Sequence, residues 1–482
     1  MKRGVDYGLL IALAVVAHGL LLLNDGIYWD DWYLYTALHQ HNWPAIALLG
    51  QRGLPTDPIL YWIIGYGGRV FAFKLVKFIA LTLVAILVYE VCSLRFSRGI
   101  ALAIAALALT FPGDETTVIL MTTDYAVYYA IFWIAVWLAF RDSIPLFCIA
   151  VALFLLSFNL NSLLVFYFGF VIAIFQRRKR DIVFISLPFV FWGARLLFFA
   201  PKGYFASYNN IDFRPASLIR QTLQYVYFGG LQTMIVPIVL LISAVFIIRS
   251  KGSKHLLLYA LLLGLLAIFP YAAVHKAPNA VHGPNTRCEL LLAFPVALLI
   301  VSAMSFPPRR FAQVVLAIVL IAFTAQTIRT YLAWQAEWAK ERALIASLAQ
   351  QRDGARFETL FVCDNFDNDP YFMLGIDALL LKAWDNDSRV WIDPRWDPTN
   401  PRFAHPDELQ TDRIIVLPWE TGARTADPIG TLSLCSPRAN DARVAAAYLR
   451  DRFFQPEHLP TLFAGLAHAE VRRGRLNRAC CP

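Results

Sequence analysis

Charge is scarce in this chain. Of its 482 residues, 16% are Asp, Glu, Lys or Arg, against about 25% in an ordinary soluble protein. With 58% hydrophobic residues and a mean hydropathy of +0.53, the shortfall excludes a soluble fold of this length and predicts a polytopic membrane protein. Signatures of soluble enzymes are missing too: there is no P-loop, no HExxH and no serine elbow. Gly65-Tyr66-Gly67-Gly68 follows no strand, and His39-x-His41 has no third ligand at zinc-site spacing. The first apolar run begins with Lys2-Arg3 but no small-residue cleavage site follows it, so it reads as a retained signal anchor. No repeat or low-complexity tract is evident.

What charge there is has a pattern. Apolar runs at about 7–23, 75–92, 99–112, 125–140, 144–157, 161–175, 182–200, 231–248, 255–274, 288–305 and 311–328 predict an α-helical membrane protein with about eleven transmembrane helices. With a cytoplasmic N-terminus, the basic residues Lys2, Arg3, Arg95, Arg98, Arg141, Arg177-Arg178-Lys179-Arg180, Arg249, Lys251, Lys254 and Arg309-Arg310 all fall inside. The opposite loops at 112–123 and 157–161 hold no Lys or Arg. The net charge of +9 therefore belongs to membrane loops, and nucleic acid is excluded as a partner.

Residues 1–333 form the transmembrane domain in this reading, with 24–74 as a first outer loop carrying interfacial helices. Residues 334–482 have a soluble composition and predict a small extracytoplasmic α/β domain. A helix is expected over Trp334–Gln351 and another over Pro370–Trp384, with strands at Phe357–Cys363, Arg389–Ile392 and Arg413–Leu417. Cys363 and Cys435 are the preferred disulfide pair; buried free thiols are the alternative.

Chemistry points to the end of the first apolar run. Asn24-Asp25-Gly26-Ile27-Tyr28-Trp29-Asp30-Asp31-Trp32 sets three carboxylates among aromatics at headgroup depth, where ionised groups are costly and mark function by default. Two more outer segments follow, from Pro201 to about Gly230 and from His275 to Arg287.

Asp30-Asp31, the element Pro58-Ile59-Leu60-Tyr61-Trp62 and Asp124 in Thr122-Thr123-Asp124-Tyr125 together resemble the GT-C superfamily of membrane glycosyltransferases. Within it, the branch of protein O-mannosyltransferases and lipid A aminoarabinose transferases is the most similar. This chain departs from that branch in having Asp-Asp where Asp-Glu is usual. The resemblance implies an inverting transfer of sugar from a polyprenyl-phosphate donor to a hydroxyl on a glycan, lipid or protein, at the outer face of a bacterial inner membrane. The missing nucleotide-binding domain agrees with a lipid-linked donor.

A lipid phosphate departs as an anion without strong protonation, so one carboxylate that accepts the acceptor's proton suffices. Asp30 is the candidate base. Asp31 orients the acceptor, binds a cation or caps the interfacial helix; Asp124 is a second acid by the resemblance, or the N-cap of the following helix. Arg287 is placed to hold the donor phosphate, with Lys276 and Lys202 as alternatives, or it snorkels to headgroups. Trp29, Trp32, Tyr61, Tyr204 and His282 are expected to line the substrate cavity. The sequence names no cofactor for certain, and a divalent cation such as Mg or Mn on Asp31 and Asp124 is compatible with it. A transporter or flippase of lipid-linked sugars and a non-catalytic membrane scaffold are the competing functions.

Overall fold

A computed structural model describes residues 2–66, 69–141, 143–157, 182–202, 206, 212–233, 236–241, 255–278, 284–351, 359–364, 383, 390–392, 429–435 and 440–473. The chain divides into two compact units. One comprises Met1–Asn24 and His41–Thr330; the other comprises Asp25–Gln40 and Tyr331–Pro482.

The first unit is helical. Its described helices are α1 (Lys2–Leu23), α3 (Trp43–Leu48), α4 (Asp57–Gly65), α5 (Val70–Cys92), α6 (Arg98–Leu109), α7 (Thr123–Ala139), α8 (Ile144–Ser157), α9 (Ile182–Phe198), α10 (Pro215–Gln232), α11 (His255–Ala272) and α12 (Ala293–Ala303). Polar contacts fix how three of them run. At one end the Arg98 guanidinium at the start of α6 donates to both Asp6 oxygens of α1 at 2.6 Å, and Tyr89 of α5 donates to Asp6 at 2.5 Å. At the other end His18 of α1 lies 2.8 Å from the Leu109 carbonyl of α6. So α1 and α6 run the same way and α5 returns between them. Between these ends the core is aromatic: Trp133 is fully buried, with the Phe294 ring 5.0 Å and the Phe132 ring 5.3 Å away.

Among the described residues four helical segments are long and apolar enough to cross a membrane: Arg3–Leu23, Val70–Cys92, Thr286–Ala303 and Arg309–Ala349. Among the described residues these are four of the expected eleven crossings. Arg98–Leu109, Ile144–Ser157, Phe189–Phe198 and Leu256–Ala272 are apolar but shorter. A twelve-residue helix rises only about 18 Å, short of a hydrocarbon core of about 30 Å. The apolar run at 161–175 and part of that at 231–248 lie outside the described residues.

The second unit contains α2 (Asp31–His39), the Tyr331–Ala349 part of α13 (Arg309–Ala349), α14 (Asp441–Phe454) and α15 (Leu459–Leu466). It also holds a four-stranded sheet of order β2-β1-β3-β4, with β1 Thr359–Asp364, β2 Val390–Ile392, β3 Ile429–Cys435 and β4 His468–Arg473. Strand β1 is parallel to β2 and β3, and β4 is antiparallel to β3. The Ser347 hydroxyl ties α13 to β4 by bonds of 3.0 Å to the Ala469 backbone. Strand β1 overlaps the expected 357–363; the expected strand at 413–417 and helix at 370–384 lie outside the described residues. Register sets Cys363 opposite Ser433, with Cys435 two positions further along β3.

Candidate functional site

In the first unit, ionisable side chains gather around Arg52. A short 3-10 turn, Leu49–Arg52, ends at Gly53, whose φ of 80° reverses the chain toward α4. A β-carbon at Gly53 would come within 2.6 Å of the Arg195 Nε and 2.8 Å of the Phe199 carbonyl, so the turn depends on glycine. Arg195 of α9 donates to the Arg52 carbonyl at 2.8 Å, and the Lys202 amide donates to the Gln51 carbonyl at 3.0 Å. These contacts seat residues 195–202 on the turn.

The Arg52 side chain donates to Asp57 Oδ2 at 2.8 Å and lies 3.8 Å from Asp124 Oδ2. Asp57, Asp124 and Tyr61 are fully buried. Asp57 opens α4 ahead of Pro58, where an acid suits the helix dipole. Helix α7 begins one residue before Asp124, which therefore sits inside the first turn; the N-cap position belongs to Thr122. Asp57 Oδ1 and Asp124 Oδ2 have no hydrogen-bond partner among the described residues. The Tyr61 and Tyr128 phenols stand beside the two acids; Tyr61 donates to the Met121 carbonyl at 2.7 Å, and Tyr128 shares a 2.6 Å bond with Thr56. Burial first, and then the Asp124 charge, push the Asp57 acid well above its ordinary range, with Arg52 pulling the other way. Two buried carboxylates around one guanidinium can hold a proton between them, which is the raw material of acid–base chemistry.

Cations from α5 support the segment leading to Asp124. Lys77 donates to the Ile119 carbonyl at 2.6 Å and to the Thr122 hydroxyl at 2.8 Å, and Lys74 donates to the Val118 carbonyl. Both lysines are almost fully buried. The loop that carries no basic residue of its own is thus held by two amines from a neighbouring helix. Arg287, 9% exposed in the 3-10 segment Pro284–Leu292, lies within electrostatic reach of the Tyr125 phenol next to Asp124. Lys276 is half-buried and its backbone amide bonds the Tyr271 carbonyl. Arg214 is paired with Asp212 at 2.8 Å.

Trp29, Asp30, Asp31 and Trp32 belong to the second unit. Trp29 holds a φ of 52°, a left-handed conformation that a bulky residue adopts only when its surroundings impose it. Asp30 follows at the N-cap position of α2, without a side-chain cap bond. Asp31 is fully buried and accepts the Tyr28 amide at 3.3 Å. Asp31 and Asp124, the carboxylates assigned to a cation, lie in different units; among the described residues no group of three or more His, Cys, Asp or Glu is placed to hold a metal ion. Tyr204 and His282 lie outside the described residues.

The structure thus brings Asp124, Tyr61 and the Lys202 backbone to the Arg52 turn and sets Arg287 near Tyr125. Sequence reasoning missed Arg52, Asp57, Lys74 and Lys77. Two lysines three residues apart inside an apolar run were the available signal, since buried amines require acceptors. Comparison with protein-family models, curated proteins and solved structures finds no match to this chain.

Proposed function

We propose that the chain is a membrane glycosyltransferase of GT-C type, moving a sugar by inversion from a polyprenyl-phosphate donor to a hydroxyl acceptor on an envelope glycan, lipid or protein. The observation that carries the reading is Asp124: a buried acid beside Arg52 and Asp57, with one carboxylate oxygen left without a hydrogen bond. That oxygen, 3.8 Å from Arg52, has room to accept a hydrogen bond from a ligand or to carry a proton. The motif around Asp30-Asp31 supplies the other half of the argument. Asp30 is assigned the acceptor's proton, Arg287 the donor phosphate, and Asp124 a supporting acid. In this reading the N-terminus is cytoplasmic, the shorter apolar helices complete the set of crossings, and residues 334–482 form an extracytoplasmic domain.

One observation favours the transporter alternative. Glu289 lies in a candidate span, is fully buried, and has neither carboxylate oxygen hydrogen-bonded among the described residues. Charged groups of this kind also mark ion and substrate pathways. The deciding experiment is mass spectrometry of envelope glycans and lipids from cells carrying wild type, Asp30→Asn or no protein. A sugar present with wild type, and reduced about 100-fold or more with Asp30→Asn at equal membrane abundance, is expected of a lost general base. Wild-type modification by Asp30→Asn would remove the base assignment. No difference between wild type and the deletion would send the reading to transport.

A further inference from the structure

The second unit contains a network that the transfer chemistry does not by itself require. The segment 25–40 is separated in sequence from residue 331 by the whole stretch 41–330 of the first unit, yet it packs among residues from beyond 331. Asp25 accepts from Arg452 Nη1 at 2.7 Å and lies 3.7 Å from Arg342 Nη1. The Tyr448 hydroxyl reaches both Asp25 oxygens, at 3.2 and 3.3 Å. Tyr448 is itself fully buried, and burial together with the Asp25 charge pushes its phenol up to about 12. Around it, Arg342 lies over the Phe463 ring at 5.7 Å.

Three residues further on, the Tyr28 hydroxyl donates to the Trp334 carbonyl at 2.8 Å, and its ring meets Trp334 edge-on at 4.9 Å. Trp32 packs 6.1 Å from Trp338. The turn that carries Asp30 and Asp31, with Trp29 in its left-handed conformation, is therefore flanked by α13 at Tyr28 and Trp32, and its leading segment is held to α14 through Asp25. Its inner bond, from the Tyr28 amide to Asp31, depends on Tyr28 staying in place.

We propose that Arg452 and Tyr448 form a positioning clamp on Asp25 that sets the geometry of the Asp30-Asp31 turn, so that the C-terminal unit is a working part of the transfer machinery. This rests on the reading of Asp30 as the acceptor's base. The balance of the clamp is favourable: two guanidiniums and a phenol converge on one carboxylate, and each arginine also covers an aromatic ring, Phe463 for Arg342 and Phe453 for Arg452. A displaced base loses its line to the acceptor hydroxyl, and an error of about 1 Å costs on the order of 100-fold in rate.

The test uses the full-length protein in lipid nanodiscs, with two readouts. Hydrogen–deuterium exchange follows the amides of 25–40 against those of α5. Transfer is measured from the polyprenyl-phosphate sugar fraction extracted from cells that lack the protein, onto membranes from the same cells. Arg452→Gln and Tyr448→Phe are expected to raise exchange across 25–40 about 10-fold, leave α5 unchanged, and lower turnover about 10- to 100-fold with donor KM unchanged. The reversed pair Asp25→Arg with Arg452→Asp is expected to restore both. Unchanged exchange over 25–40 in Arg452→Gln and Tyr448→Phe overturns the clamp. Raised exchange with wild-type turnover overturns its positioning role. Where the wild type itself transfers nothing from that fraction, the glycosyltransferase reading fails, while exchange and its rescue by the reversed pair still decide whether the clamp exists.

Discussion

The Arg52 guanidinium faces two buried carboxylates and can balance one of them. Removing it strips both buried acids of their nearest cation, and Arg52→Ala is expected to cost about 3–5 kcal/mol, the range for breaking a buried ion pair from one side. Asp57→Asn acts in the opposite sense. Because the folded protein raises the Asp57 acid, its protonated form is favoured in the fold. The stability tied to that proton is fully present below the ordinary carboxyl value of about 4 and is lost as pH rises through the higher folded value. Thermal unfolding in detergent is therefore expected to show a melting temperature that declines from acid toward alkaline pH in the wild type, and a flatter profile in Asp57→Asn. A wild-type profile as flat as the variant's would show that Asp57 is ionised throughout. Of this cluster, Asp124 was legible in the sequence as an acid at an apolar helix start. Arg52 and Asp57 were not, because QRGLPTDP reads locally as a turn into a helix, and the contact that matters joins them to a residue some seventy positions away.

At the scale of elements, α5 carries more than a crossing segment needs. Lys74 and Lys77 spend their amines on carbonyls of residues 118 and 119, so the helix organises the loop that delivers Asp124. The two are not equivalent. The Ile119 carbonyl also receives the Thr122 amide at 3.3 Å and the Thr122 hydroxyl at 3.0 Å, a reserve that no described contact gives Val118. Lys74→Met is therefore expected to destabilise by about 1–3 kcal/mol, the cost of an unmet buried acceptor, and Lys77→Met by less. Thermal unfolding of the two variants side by side checks the order, and equal losses would mean that the amines are interchangeable. The helices α1, α5 and α7 lie close to the apolar runs read from the sequence, since their periodic apolar faces and their interrupting charges are local signals. Strands β3 and β4 were not read. Their formation depends on partners far along the chain, as in the pairing of β3 with both β1 and β4.

For the whole molecule, the composition of the second unit constrains topology without any count of spans. Asp25–Gln40 and Tyr331–Pro482 form one compact unit, and in the proposed topology both stretches lie on the same side of a membrane. Between residues 41 and 330 the chain must then cross an even number of times. With α1 as one further crossing in that topology, the total is odd, and the C-terminus is proposed to lie opposite the N-terminus. That parity agrees with the basic clusters, which fall inside when the N-terminus is cytoplasmic, and with the Asp6–Tyr89–Arg98 contacts, which bring the start of α1, the end of α5 and the start of α6 to one end. A reporter that functions only outside the cytoplasm is therefore expected to be active when fused after Pro482, and a reporter that fluoresces only in the cytoplasm is expected to stay dark there. The opposite pair of results would place residues 331–482 inside. Because Asp30 belongs to the same unit, it would move the candidate base to the cytoplasmic face and remove the lipid-linked donor from the reaction.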